Sequence, residues 1–106
     1  MRLAKPLALI ACLFIAGHLI AQTRSHSYVP REGFVPDEKT AIRVAEAVLT
    51  SIYGDKNILD QRPFSAKLER GVWVVSGHLP EGYEGGVAEI RIAKKTCEVL
   101  HVTHGK

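Results

Sequence analysis

Residues Asp37–Gly54 read DEKTAIRVAEAVLTSIYG, and this stretch decides how everything after it must be arranged. Asp37 supplies an N-cap side chain, and Glu38 places negative charge in the first turn, where the helix dipole favours it. Ala41, Val44, Ala45, Val48 and Ile52 then recur at helical spacing on one face, while Arg43, Glu46 and Thr50 fall away from it. Gly54 closes the pattern, as glycine commonly does just past a helix. The spacing predicts a helix over Asp37–Tyr53 with one apolar stripe. Such a stripe requires an apolar surface to lie on.

That surface is written downstream. Asp55–Arg62 is polar and reads as a connection. Phe64, Ala66 and Leu68 then alternate with Ser65, Lys67 and Glu69, the period of a half-buried strand. Glu69-Arg70-Gly71 is a short turn, and Val72–Leu79 returns as a β-rich segment. The glycine-rich loop Pro80–Gly86 leads into Val87–Lys94, with Ala88, Ile90 and Ile92 on one face and Glu89 and Arg91 on the other. Lys95-Thr96 turns the chain into Glu98–Thr103, where Leu100 and Val102 share a face. Four strands with short links form an antiparallel meander, and the helix is the only large cover for one face of it. The expected fold is therefore α+β: one N-terminal helix packed on a four-stranded antiparallel meander, over residues 37–106.

Upstream, the pattern is that of an address. Arg2 and Lys5 give a basic start, and Leu7–Ala21 is apolar apart from Gly17 and His18, the parts of a secretory signal. Residues 1–21 are expected to be a signal peptide cleaved near Ala21, giving a periplasmic or secreted protein. The alternative is an inner-membrane anchor over residues 7–21, a little short of the roughly 18–20 residues a spanning helix needs. Leu9-Ile10-Ala11-Cys12 has the residue types of a lipobox, which would put a lipid on Cys12. The apolar run continues to Ala21, however, where a lipoprotein turns polar, and this favours an ordinary place for Cys12 in the apolar region. Gln22–Pro36, with Pro30, Gly33 and Pro36, reads as a tether or extended arm in which Phe34 and Val35 are able to dock on the domain.

A chain of 106 residues holds one domain and little more. The formal net charge of +3 comprises 14 basic and 11 acidic residues, and loss of Arg2 and Lys5 leaves a nearly neutral domain. Such a balance provides no electrostatic reason to expect nucleic acid as a partner. Only Cys97 remains beyond residue 21, so an exported form has no intramolecular disulfide and relies on packing.

Motifs for chemistry are absent. His101 and His104 sit three apart, and on a strand that spacing sends them to opposite faces, so no metal site is expected. Gly82, Gly85 and Gly86 do not make a phosphate cradle, because the loop leads into a strand and carries Glu81 and Glu84. Trp73 between two valines is a packing residue. Cys97 with His101 is too weak a pairing for a nucleophile and base. No catalytic residue and no cofactor is therefore expected. The loop makes better sense as a protein contact, with Tyr83 an amphipathic ring at its tip, and Glu81, Tyr83, Glu84, Gly85 and Gly86 are the candidate partner-binding residues.

Taken in order, Pro36-Asp37-Glu38-Lys39-Thr40-Ala41, Ala45-Glu46-Ala47 and Ile52-Tyr53-Gly54 make one half of a wider pattern. Trp73-Val74-Val75-Ser76-Gly77-His78-Leu79-Pro80, Gly85-Gly86 and Val102-Thr103-His104-Gly105-Lys106 make the other. Together they resemble bacterial immunity proteins of the nuclear-transport-factor-2-like fold, over roughly residues 33–106. The resemblance implies a reduced cone or cystatin-like unit and a role in polymorphic toxin systems. A stoichiometric inhibitor there binds a cognate toxin and performs no chemistry. Two other functions fit less: a cystatin-like protease inhibitor, hinted at by Val74-Val75-Ser76-Gly77, and a small cone-fold enzyme, which needs a buried carboxylate or histidine in a pocket.

Overall fold

The computed structural model describes residues 26–105. The expected signal peptide over residues 1–21, its expected cleavage near Ala21 and Cys12 lie outside the described residues. Among the described residues two helices and four strands follow one another: α1 (Glu38–Tyr53), α2 (Asp55–Leu59), β1 (Ser65–Glu69), β2 (Val72–Ser76), β3 (Ala88–Ala93) and β4 (Val99–His104). The strands form one antiparallel sheet in the order β1-β2-β3-β4, and α1 lies across β1, β2 and β3.

Asp37 starts α1 from extended backbone (φ −143°), and its Oδ1 accepts from the Thr40 amide at 2.8 Å and from the Thr40 hydroxyl at 2.7 Å. The amide bond meets one of the backbone donors left unsatisfied at a helix start, and the hydroxyl bond orients the capping carboxylate. The buried line of α1 is Ala41, Ala45 and Leu49, with Ile42, Val44, Val48 and Tyr53 packed at its margins. Ile52, placed on that stripe by its spacing, is 53 % exposed, because it falls in the last turn of α1. Small alanines at the centre let the helix backbone approach the sheet. There they meet Trp73, Val75, Ile90 and Ile92, and Phe64, Ala88 and Ile58 complete the core.

The polar connection after α1 contains an element that its composition hides. Gly54, at φ 93°, breaks the helix axis, and Asp55–Leu59 then makes one further turn that buries Ile58. A single apolar residue among polar ones has no visible period, so only packing exposes the element. Arg62, just beyond it, returns to α1 as a two-pronged contact with Glu46: Nε–Oε2 3.0 Å and Nη2–Oε1 2.7 Å.

The β1–β2 turn is a two-residue loop with Arg70 at φ 51° and Gly71 at φ 78°. This is the left-handed pair of a type I′ hairpin, whose twist matches the strands on either side. The β3–β4 turn ends in Cys97 at φ 68°, a conformation usually left to glycine or asparagine. Its amide donates to the Ala93 carbonyl at 2.9 Å.

Ala88, Ile90 and Ile92 of β3 are all fully buried, as their alternation predicts. The alternation fails in β4. Arg91 pairs with His101 but Ile92 pairs with Val99, so Leu100 is an extra residue in a β-bulge. Val102 faces the core beside Ile90. Leu100 joins Val72, Val74 and Arg91 around a depression on the opposite face of the sheet, so the two residues do not share a face. Leu68, at the far end of β1, is also half exposed.

The arm before α1 is docked, not free, from Pro30 onward. A turn from Pro30 to Gly33 leads to Phe34 and Val35, whose amides donate to the Lys95 and Lys94 carbonyls at 3.1 and 3.0 Å. Val35 is fully buried, and its carbonyl accepts the Trp73 indole N–H at 2.8 Å. Lys94 Nζ adds a 2.6 Å bond to the Glu32 carbonyl.

Candidate functional site

One end of the sheet gathers the candidate loop, α2 and the end of β4 around a cleft of about 340 Å³. Glycine-to-backbone contacts hold the base of the loop. The α-carbon of Gly86 crosses Gly105 so closely that a β-carbon on Gly86 would collide with the Gly105 backbone. Gly105 N–H donates to the Val87 carbonyl at 3.2 Å and locks the crossing. This accounts physically for Gly85-Gly86 and His104-Gly105 occurring together: the pair is a crossing point, not a phosphate cradle.

The tip is a Pro80–Tyr83 turn closed by a 3.1 Å bond from the Tyr83 amide to the Pro80 carbonyl, with Gly82 at φ 84°. Counted from Pro80, Gly82 is the third residue, the position at which a type II turn requires a positive φ. Tyr83 emerges 66 % exposed. Its ring is one wall of the cleft, opposite Asn57 and Asp60 of the α2 region. Lys56 has its pKa raised above the ordinary value, first by the 2.7 Å hydrogen bond to Asp60 and then by the Asp60 charge.

Of the five loop residues expected from sequence, Tyr83, Glu84, Gly85 and Gly86 line this cleft. Glu81 sits in the turn on the exposed side and does not line it. Sequence reasoning missed what forms the other half: Asn57, Asp60 and above all Gln61. Gln61 is the one buried polar residue among those described. Its Oε1 accepts from the buried Ala88 amide at 2.7 Å, and its carbonyl accepts from the His78 amide at 2.7 Å. Gly77 permits this, since a β-carbon there would run into the Gln61 side chain. A glutamine in a polar run carries no sequence signal of burial; the nearest clue is Gly77, a glycine directly after a strand.

The remaining candidates separate. His101 pairs with Arg91 on one sheet face, whereas the His104 ring lies 5.2 Å from the Tyr53 ring on the other side. His78 is exposed beside Gln61. Among the described residues no group of three metal-ligating side chains comes together. Cys97 and His101 are separated by the bulge in β4. Val74–Ser76 lie within β2, and the Gly77 amide bonds to the Ala88 carbonyl at 2.9 Å. A cystatin-type inhibitor needs that stretch at an exposed hairpin tip, and here it is sheet.

The architecture is thus a small α+β unit with one sheet face covered by a helix and a clamped, aromatic-tipped loop at one end. The chain belongs to the NTF2 fold immunity protein family, whose model matches residues 40–106. That match spans α1 from Thr40 onward, α2 and all four strands. Comparison with curated proteins and with solved structures gives no match.

Proposed function

We propose that this immunity protein neutralises a cognate toxin by binding and occlusion, without catalysis, and that the Glu81–Gly86 loop with Tyr83 as anchor makes the contact. The observation that carries this is a large aromatic side chain, 66 % exposed, on a loop whose base is fixed by the Gly86–Gly105 crossing. Tyrosine loses little conformational entropy on burial, and a pre-ordered loop avoids the cost of ordering at the moment of binding. The two carboxylates Glu81 and Glu84 beside it suit a neutral or basic partner surface and oppose nucleic acid. No cofactor enters this function.

Export by residues 1–21 places the domain where a periplasm-acting toxin is met, and retention of residues 7–21 would place it at the inner membrane instead. The family supports a toxin partner, and the signal-like start of the chain supports the compartment.

Pull-down of the mature domain from cells carrying the neighbouring genes, after fractionation, tests both parts. Recovery of one tightly bound toxin domain from the periplasm is expected. Tyr83→Ala then weakens that complex by about 2 kcal/mol or more, roughly thirtyfold in Kd by calorimetry. An unchanged affinity would remove Tyr83 as the anchor, and cytoplasmic protein with an intact N-terminus would remove export.

A further inference from the structure

Gln61 is only 8 % exposed, yet among the described residues its Nε2 amino group has no partner. Its orientation is determined. The Ala88 N–H is a donor and requires an oxygen, so the atom 2.7 Å from it is Oε1 and not the amino nitrogen. Backbone bonds from Gln61 N–H to the Ile58 carbonyl at 3.0 Å and from His78 N–H to the Gln61 carbonyl at 2.7 Å fix the residue from both sides. Gln61 is among the residues that line the cleft, and no described residue accepts a hydrogen bond from its Nε2 amino group. An unsatisfied buried donor costs free energy that an incoming acceptor recovers.

The surroundings define that acceptor. Glu84 lines the same cleft with Asp60, which Lys56 bridges at 2.7 Å, so an anion approaching Gln61 meets net negative charge. A cation would meet those carboxylates favourably but has no acceptor to offer Nε2. A neutral amide satisfies both: its carbonyl takes the Gln61 N–H, and its own N–H turns toward the rim carboxylates. Leu79, Pro80 and the Tyr83 ring provide an apolar wall for the carbons attached to it.

We propose that the cleft between α2, the Pro80–Gly86 loop and the end of β4 is a receptor for one neutral amide group of the bound protein, with Gln61 Nε2 as the donor that reads it. This deepens the toxin-binding reading and rests on it for the identity of the natural ligand, but not for the chemistry of the site. Tyr83 supplies contact area at the rim, and Gln61 supplies selection at the floor.

The test uses the full-length chain labelled with nitrogen-15 and small probes in place of the toxin. N-methylacetamide stands for a main-chain peptide group and propionamide for an asparagine or glutamine side chain. Sodium acetate and guanidinium chloride are the charged controls. Saturable shifts of the Gln61 side-chain NH2 resonances and of the Gly85 and Gly86 amides are expected with an amide probe. Half-saturation falls at roughly tens of millimolar, as suits so few ligand atoms. Saturation by N-methylacetamide alone assigns the natural group to the main chain, and saturation by propionamide alone assigns it to a side chain.

Shifts that grow linearly without saturation, or that acetate or guanidinium reproduces, overturn the proposal. Gln61→Glu keeps an oxygen for the Ala88 amide and removes the donor, so amide saturation surviving in that variant also overturns it. If the variant does not fold, the wild-type Gln61 resonance decides alone. A chain that takes the amide but captures no toxin sinks the toxin reading and keeps this site; capture of toxin without amide binding does the reverse.

Discussion

Replacing Trp73 with phenylalanine tests how the arm is attached to the domain. Trp73 is 5 % exposed, and its Nε1–H is the partner of the Val35 carbonyl at 2.8 Å. Phenylalanine keeps the ring in the core but has no donor. The Val35 carbonyl, on a fully buried residue, is then left without that bond, at a cost of about 1–3 kcal/mol. The smaller ring leaves unfilled volume of roughly 40 Å³, which adds about 1 kcal/mol at the usual cost per unit of cavity.

The sum is about 2–4 kcal/mol, a large share of the stability of a small domain. It corresponds to a fall in Tm on the order of 10–20 °C for a chain of this size. Melts followed by far-UV circular dichroism read it, since the only tryptophan is lost. Hydrogen exchange locates it: the Phe34 and Val35 amides, bonded to Lys95 and Lys94, should lose protection beyond the global change. A drop of less than about 4 °C with unaltered exchange at Phe34 and Val35 would falsify the claim that the indole bond fastens the arm.

Three further outcomes follow from single contacts. Gly77→Ala drives a methyl group into Gln61 and releases the Ala88 amide, costing about 2–3 kcal/mol in urea unfolding; in a Gln61→Ala background the same change costs far less. Arg70→Asn, at an exposed left-handed position, stabilises the β1–β2 hairpin by about 0.5–1 kcal/mol, part of the penalty that arginine incurs there; no gain in Tm would argue against a type I′ turn. Asp37 has its pKa held below the ordinary 3.8, first by the Thr40 amide hydrogen bond and then by the Thr40 hydroxyl. Its capping contribution is therefore complete above about pH 4 and is lost as pH falls through the lowered folded value. Asp37→Asn keeps an oxygen for the cap and should flatten that acid limb in melts compared between neutral pH and about pH 3.

Wherever the structure agrees with expectation, a local period or local turn chemistry was enough. The α1 boundaries follow from Asp37 and Gly54, β3 follows from Ala88, Ile90 and Ile92, and the β1–β2 turn follows from Arg70-Gly71. The candidate loop was legible for the same reason, because Pro80, Gly82 and Gly85-Gly86 interrupt two β-rich runs around one aromatic residue. Departures occur where a residue's surroundings come from elsewhere in the chain. Leu100 changes face because β4 carries one residue more than β3 can pair, which no pattern within β4 displays. Ile52 has the right phase and the wrong depth, because phase is local and the reach of the sheet is not. Ile58 and Gln61 are buried by packing against segments far along the chain.

By itself the sequence determined the class of fold, the order of α1 and the four strands, and the aromatic loop, since each rests on contacts between near neighbours or on periods of 3.6 and 2. Only the tertiary structure decided that Tyr83 shares a cleft with the α2 region, that Gly86 crosses Gly105, and that Gln61 lines that cleft with its Nε2 amino group unpaired among the described residues. Those facts join residues up to nearly fifty positions apart. A side chain's hydrogen-bond partners are set by which distant backbone groups folding brings beside it, and a linear pattern does not encode that geometry.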